Sequence, residues 1–420
     1  MKVLLVGNGA REHAIGWKLA QSPKVTQLFI APGNAGTARL GENVPISAEA
    51  IGELTQFAKE NAIDLTVVGP EIPLAAGIVN AFEDAGLAIF GPTKEAARIE
   101  SSKVFAKRLM LKHDVPTGVA EVFNTYEDAK VYLETAPIPT VIKADGLAAG
   151  KGVIVAQTHD EAIDAVHRMM IDKEFGTSGE RVLIEECLTG REVSVFAFVD
   201  GDYVSPMVAA CDYKRIGEGD TGPNTGGMGS YSPPTFWSEE LERQVRHTII
   251  EPVTKALCAE GSSYRGVLYA GLMLTKDGPK VIEFNCRMGD PETQVFLPRL
   301  KSDLAEIMMK TARGELHEAS IEWDERACVG VVAASGGYPD KYGTGYEITG
   351  LDEVDDDVFV FHAGTKLDDL GKNVVTSGGR VLTVSALGET IEDARLKAYA
   401  NIERINFKQS CYRKDIALFS

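Results

Sequence analysis

Four apolar runs in the first 92 residues constrain this chain more than any other feature: KVLLVG (2–7), QLFIAP (27–32), DLTVVGP (64–70) and AIFGP (88–92). Each is apolar at nearly every position, not at every second one, and each ends in Gly or Pro. A strand of that kind must be covered on both faces, as strands inside a parallel sheet are. Parallel neighbours cannot be joined by a hairpin and need a crossover. Helical stretches at 11–22, 47–60 and 74–85 supply the crossovers. The expectation is an α/β fold that opens with a small doubly wound parallel sheet, with ligands bound beyond the carboxyl ends of its strands.

The remaining chain changes character several times, and 420 residues exceed a single ordinary core. A long helix is expected over 93–113, with Thr93 as its N-cap. Residues 119–190 read as helix, strand, glycine loop, strand, helix (159–171) and strand, with capping-box spacing at Thr125/Asp128 and Thr158/Glu161. Residues 191–322 carry long strands (EVSVFAFVDG, VLYAGLMLT, KVIEFN) and helices at 238–260 and 303–313. From 323 the strands shorten, and a last helix starts at Thr390. The expected division is 1–102, 103–118 with 191–322, 119–190, and 323–420. The acidic run DEVDDD (352–357) is expected to be a solvated turn.

Charge removes whole classes of partner. A net charge of −18 argues against nucleic-acid or anionic-membrane binding, which need basic patches. Six cysteines (187, 211, 258, 286, 328, 411) lie scattered with no CxxC pair, as suits reduced thiols. The N-terminus reads as a strand and a glycine loop instead of a leader, and no apolar run has membrane-spanning length. The expected location is the cytoplasm.

Three segments carry chemistry. GLAAGKG (146–152) is not a Walker A loop: only three residues separate Gly146 from Gly150, Gly152 stands where Ser or Thr should, and a β run follows. VGNGAREHA (6–14) begins like a dinucleotide fingerprint but lacks the third glycine, and strand 2 ends without an acidic residue for a ribose. It remains a helix N-terminus aimed at an anion, or a tight turn with no ligand. Gly9, Asn34 in APGNAGTA (31–38) and Glu71 in VGPEIPLAAG (68–77) sit at the ends of three neighbouring strands, so they are candidate substrate contacts. In VIEFNCRMGDPETQ (281–294), Glu283 and Asn285 share one strand face. Two oxygen ligands at that spacing suit Mg²⁺, which takes its remaining ligands from water and phosphate. Arg287, two residues on, is a candidate to neutralise a phosphoryl group in transfer. DYKRIGEGDTGPNTGGMGSY (212–231) reads as a linker or, because it lies between two strands of one domain, as a functional loop.

Together, in this order, VGNGAREHA, PGNAGTA, GPEIPLAAG, IKADGLAAGKGV, GPNTGGMG, EFNCRMGDPETQ and SGGR closely resemble the phosphoribosylamine–glycine ligase (glycinamide ribonucleotide synthetase) family of the ATP-grasp superfamily. The resemblance spans essentially the whole chain. It implies an ATP-grasp fold with a parallel N-terminal sheet, an α+β lid and central domain, and a small C-terminal α+β domain. KADGLAAGKG then resembles the lid's β-hairpin loop, with Gly146, Gly150, Lys151 and Gly152 at the nucleotide phosphates. Lys143 and Lys103 are implied phosphate contacts, and Lys143 with Arg287 would be the catalytic pair. LIEECL (183–188) resembles the hinge strand: the backbone of Glu186 and Leu188 is implied at the adenine, Glu192 at the ribose, and Glu185 among the nucleotide contacts. Glu283 and Asn285 match the metal ligands, with ATP and Mg²⁺ (or Mn²⁺) the implied cofactors. Asp212 and Lys214 are expected at glycine, and Gly378, Gly379 and Arg380 at the phosphate of 5-phosphoribosylamine. A monomer is implied.

The implied chemistry explains why no Ser/His/Asp or Cys/His constellation is present. ATP activates glycine as glycyl phosphate, the amine of phosphoribosylamine attacks it, and positioning with charge neutralisation does the catalysis. Three alternatives stay open at this level: a nucleotide-dependent oxidoreductase, a non-catalytic small-ligand sensor, and a carboxylase-like relative that uses another amine.

Overall fold

The computed structural model describes residues 1–147 and 152–419. Its N-terminal sheet has five parallel strands, β1 (Lys2–Gly7), β2 (Gln27–Pro32), β3 (Glu42–Asn43), β4 (Leu65–Val68) and β5 (Ile89–Phe90), in the order β3-β2-β1-β4-β5. Val3 to Val6 of β1 are fully buried, as a two-faced apolar strand requires. Each such side chain contributes about 1.5–3 kcal/mol relative to exposure. The strand order reverses at β1, so the loops after β1 and β4, carrying Gly9 and Glu71, border the crevice where such sheets hold ligands. The crossover helices are α1 (Ala10–Ala20), α2 (Ile51–Glu60) and the pair α3 (Glu71–Ala76) and α4 (Ile78–Asp84). The helix expected over 74–85 is two because Gly77, at φ 94°, breaks it.

The helix expected over 93–113 is also two, α5 (Lys94–Ser101) and α6 (Lys103–Lys112). Thr93 caps α5 as expected, accepting from the Ala96 N–H. The break is at Ser102, whose extended backbone and hydroxyl cap α6. Asp145 fixes that break from 43 residues away, accepting from the Ser102 hydroxyl (3.0 Å) and the Val104 N–H (3.1 Å).

The lid-like unit is an antiparallel sheet of β6 (Ala120–Phe123), β7 (Thr140–Ala144), β8 (Val153–Ala156) and β9 (Val182–Glu186), in the order β6-β9-β7-β8. Helices α7 (Tyr126–Leu133) and α8 (His159–Met170) pack on it, capped by Thr125 and Thr158 as their spacing predicts. Its apolar core is separate from the others and includes Ile142, Ala165, Met169 and Ile184.

A ten-stranded, mainly antiparallel sheet runs through the rest of the molecule. β10 (Arg191–Asp200) folds back through β11 (Tyr203–Val204) and pairs with β12 (Val208–Asp212). The glycine-rich segment then makes its own hairpin, β13 (Arg215–Gly217) with β14 (Thr221–Asn224), and rejoins the sheet as β15 (Gly229–Ser232). After α9 (Glu239–Val245), a π-helical turn and α10 (Glu251–Ala259), the strands β16 (Arg265–Thr275) and β17 (Gly278–Asn285) close one edge. The short α11 (Thr293–Phe296) and α12 (Leu304–Arg313) lie against the N-terminal sheet's second core. β18 (Ala327–Ser335) and β19 (Val358–His362) follow, then the hairpin β20 (Thr365–Leu367) with β21 (Val374–Thr376), β22 (Arg380–Gly388), α13 (Ile391–Ile402) and β23 (Ser410–Cys411). The 352–357 turn is tied to α13 and to Arg404 just beyond it: Asn401 donates to Asp355 (3.0 Å), Lys397 pairs with Asp357, and Arg404 donates to Asp355 (2.7 Å).

Candidate active site

Lys143, on β7, is buried and extends its ammonium to Glu185 (2.8 Å) and to the Ile282 carbonyl of β17 (2.9 Å). Glu185 also holds Lys107 of α6 (3.4 Å), which donates to Thr117 Oγ1 (2.7 Å) and the Gly118 carbonyl (3.0 Å). Glu185 therefore bridges two lysines at the chain crossings into the lid. Lys103 opens α6 and donates to the Gly146 carbonyl (2.8 Å). Burial pulls the Lys103 and Lys107 ammoniums below the usual lysine range, partly offset by Glu283 and Glu185 respectively.

Glu283 lies among these lysines yet makes no hydrogen bond or direct ion pair with any described residue. Burial pushes its carboxyl up, but Lys214, Lys143, Lys103 and Arg287 outweigh that and hold it below the ordinary range. It is a carboxylate with ligand sites to spare. Asn285, next but one on the strand, is buried, and its Nδ2 has no described partner. The unpaired Nδ2 is a donor and cannot ligate a cation, but the Asn285 Oδ1 keeps a second lone pair beside its bond from Arg287. That amide oxygen and a carboxylate with no described partner, ringed by cations, fit a divalent metal that a phosphate chain would complete. Among the described residues, no cluster of three His, Cys, Asp or Glu side chains holds a metal alone.

Arg287 turns the other way along its length. Its Nε meets Glu71 (3.3 Å), and its Nη2 meets both Glu100 (3.1 Å) and Asn285 Oδ1 (3.1 Å). Burial works against the guanidinium's charge, but the two carboxylates raise its pKa. Arg11 extends the same network to Glu12 (2.6 Å) and the Met288 carbonyl (3.3 Å). Glu12 in turn accepts from the Gly9 N–H (2.6 Å), so the anion at the N-terminus of α1 is the protein's own carboxylate. A side chain at Gly7 or Gly69 would strike Glu12 within 2.5 Å. Asn34 is consumed internally: its amide donates to the Asn8 (2.9 Å) and His362 (2.8 Å) carbonyls and accepts from Gly36 and Thr37. His13 completes the contact with the C-terminal unit, its Nδ1 accepting from the His362 N–H (2.8 Å).

Lys214 reaches Glu192 (2.5 Å) and stands 4.0 Å from Asp212. Burial pushes the Asp212 carboxyl up against the pull of Lys214. Beneath them Glu292, buried, accepts from Ser194 (3.1 Å) and Tyr269 (3.0 Å). Arg380 donates to the carbonyls of Gly226 (2.5 Å) and Asp290 (2.9 Å) and pairs with the Asp290 carboxylate (3.1 Å). The N–H groups of neighbouring Gly378 and Gly379 have no described acceptor, while their carbonyls bond Ser335.

Comparison with known proteins decides the family. Models of the phosphoribosylglycinamide synthetase N domain, its ATP-grasp (A) domain and its C domain match residues 1–100, 101–293 and 328–418. The phosphoribosylamine–glycine ligase of Salmonella typhimurium is 53% identical over 421 residues, covering 99% of this chain and 98% of the relative. That of Halalkalibacterium halodurans is 51% identical over 416 residues, covering 99% and 96%. The chain belongs to the phosphoribosylglycinamide synthetase family. A crystal structure of the Thermotoga maritima phosphoribosylamine–glycine ligase shares the fold at a TM-score of 0.85, with 36% identity over 99% of this chain and all (100%) of that one. A biotin carboxylase from Campylobacter jejuni shares the fold alone, at a TM-score of 0.72 and 15% identity over 99% of this chain and 94% of its own.

The resemblance read from the motifs is thus borne out for family and fold. Within the phosphoribosylglycinamide synthetase frame, the structure brings Lys103, Lys143, Gly146, Glu185, Glu283 and Asn285 to one place. Glu192, Asp212 and Lys214 come together beside it. Gly152 ends the lid's glycine loop, its carbonyl bonded to the Ala144 N–H (2.8 Å). Gly150 and Lys151 lie outside the described residues. Glu186 is exposed and its N–H is spent on the Val119 carbonyl (2.8 Å), which leaves its carbonyl for a ligand; Leu188 is half-buried. Gly9, Asn34 and Glu71 share the crevice of the parallel sheet, but the Gly9 N–H and the Asn34 and Glu71 side chains bond protein partners. Sequence reasoning missed Lys107, Glu100, Glu12 and Glu292. Lys107 alone had a local signal, lying four residues after Lys103 on the same helix face.

Proposed function

We propose that this chain ligates glycine to 5-phosphoribosylamine at the expense of ATP, giving glycinamide ribonucleotide, ADP and phosphate in purine biosynthesis. The observation that carries the reading is Glu283, a half-buried carboxylate with no described partner, among Lys103, Lys143 and Lys214 on a family-matched ATP-grasp scaffold.

A glycine carboxylate oxygen attacks the γ-phosphorus of ATP, the bond to the β-phosphate oxygen breaks, and ADP leaves. The phosphoribosylamine nitrogen then attacks the acyl carbon, the carbon–oxygen bond to phosphate breaks, and one amine proton is lost. Lys143 and Lys103 neutralise the phosphates, exchanging Glu185 and the Gly146 carbonyl for phosphate oxygens. Glu283 and Asn285 would hold Mg²⁺ or Mn²⁺, which supplies charge neutralisation across the phosphate chain. Arg287 positions Asn285. Asp212 and Lys214 receive glycine, and Arg380 with the free N–H groups of Gly378 and Gly379 receives the ribose phosphate. The reaction needs no thiol nucleophile, and burial raises the pKa values of Cys187, Cys211 (to about 12), Cys286, Cys328 and Cys411. Glycyl phosphate hydrolyses in water, so the lid has to exclude solvent.

The test is a phosphate-release assay over a panel of amino acids, with and without phosphoribosylamine. Release that requires both glycine and phosphoribosylamine supports the assignment; release driven equally by other amino acids overturns it. We further infer a cytoplasmic monomer, which size-exclusion chromatography checks for assembly. No described helix is long and apolar enough to cross a membrane.

A further inference from the structure

The glycine-rich segment 212–231 has two faces. Asp212 and Lys214 turn toward Glu192, whereas the Tyr213 side chain and the Arg215 carbonyl face the chain's last described stretch. There Arg413, only 2% exposed, spreads its guanidinium across the hairpin. Its Nη1 donates to the Arg215 carbonyl (3.0 Å) and to Asp220 (2.8 Å), while Nε and Nη2 grip Asp415 (2.7 Å each). Asp415 accepts from the Gly219 N–H (2.9 Å). The guanidinium lies 4.9 Å from the Tyr213 ring centre, and the Tyr213 hydroxyl accepts from the Ala417 N–H (2.9 Å).

The segment needs such a clamp. Gly217, Gly219, Gly222, Gly226, Gly227 and Gly229 leave its backbone with great freedom, and β14 is exposed throughout. At the hairpin neck the Lys214 carbonyl accepts from the Thr225 N–H (2.7 Å) and hydroxyl (2.9 Å). Fixing Arg215 therefore fixes Lys214.

We propose that Arg413 is a positioning residue for the amino-acid substrate, acting through the backbone of the 212–225 hairpin on Asp212 and Lys214. This rests on the reading of those two residues as contacts of the zwitterionic amino acid. A lysine keeps the charge but cannot reproduce the fork that joins Arg215, Asp220 and Asp415. Arg413→Lys should raise the KM for glycine about tenfold, the scale of one charge-assisted hydrogen bond, with the KM for ATP and the melting temperature near wild type. Hydrogen exchange across 213–225 should accelerate in the same variant.

Lys214→Met, measured in parallel, separates the two layers. If Lys214→Met raises the glycine KM and Arg413→Lys does not, the positioning role is overturned. If Arg413→Lys raises the KM of every substrate alike, Arg413 is merely structural and the proposal also fails. If Lys214→Met leaves the glycine KM unchanged, the amino-acid site lies elsewhere, and the inference falls with that reading even if exchange in 213–225 accelerates. Unchanged exchange overturns the clamp itself.

Discussion

Two clusters of charge meet at the end of β17, and they are built on opposite plans. Around Arg287 each charge is matched within the protein: Glu71 and Glu100 take the guanidinium, and Arg11 stands against Glu12 and Glu71. Around Glu283 the cations bond other groups, Lys103 the Gly146 carbonyl, Lys143 Glu185, and Lys214 Glu192, while the carboxylate bonds none of them. Ionised groups out of water need partners. A cluster matched internally therefore holds domains together, and one left unmatched is completed by what it binds. The matched cluster joins the parallel sheet to the central sheet; the unmatched one faces the lid.

Substitutions in the two clusters should thus fail in different ways. Arg287→Met strands the nearly buried carboxylate of Glu100 and the partly buried one of Glu71, and should destabilise the fold by about 3 kcal/mol, the lower end of the cost of breaking a buried pair. The urea midpoint reads this, and an unchanged midpoint would break the comparison at once. Glu283→Gln should do the reverse, leaving the midpoint near wild type while lowering turnover on the order of 10²–10³. Near-normal turnover at saturating Mg²⁺ would remove Glu283 from the metal site.

Arg380 is an intermediate case, matched to Asp290 yet flanked by the free N–H groups of Gly378 and Gly379. Arg380→Ala should raise the KM for phosphoribosylamine roughly ten- to a hundredfold, worth about 1.5–3 kcal/mol, and leave those for ATP and glycine nearly unchanged. Equal effects on all three would place Arg380 with the matched, structural charges.

Near neutral pH the smallest effect is expected at the His13–His362 contact. Burial lowers both pKa values, His362 to about 4 and His13 well below the ordinary range. Between pH 6.5 and about 4 the unfolded chain binds protons that the folded one does not, so stability falls as pH falls through that window. Each histidine contributes about 1.4 kcal/mol per pH unit at most. His362→Gln should therefore flatten the dependence of the urea midpoint on pH below 6.5. A variant as acid-sensitive as wild type would show that the contact does not titrate.

The parts of the molecule legible in the sequence are those whose cause is local. Strands β1, β2 and β4 announce themselves because a run apolar on both faces has few other ways to fold. Thr93, Thr125, Thr158 and Thr390 mark helix starts because a cap is a bond within one turn. Glu283 and Asn285 fall on one strand face by simple alternation. What escaped was decided across the chain. Ser102 splits a helix because Asp145, distant in sequence, takes its hydroxyl. The 212–231 segment holds a hairpin because Arg413 and Asp415 arrive from the far end. Glu185, expected among the nucleotide contacts, bridges Lys107 and Lys143, a pairing visible only once α6, β7 and β9 are assembled.

The measurement closest to the central claim is calorimetric titration of a non-hydrolysable ATP analogue into wild type and Glu283→Gln, each with Mg²⁺ and with chelator. If the unmatched carboxylate is the metal's anchor, Mg²⁺ should strengthen binding to wild type but not to the variant, and the two proteins should bind alike in chelator. The same gain from Mg²⁺ in both would contradict the account and place the metal elsewhere.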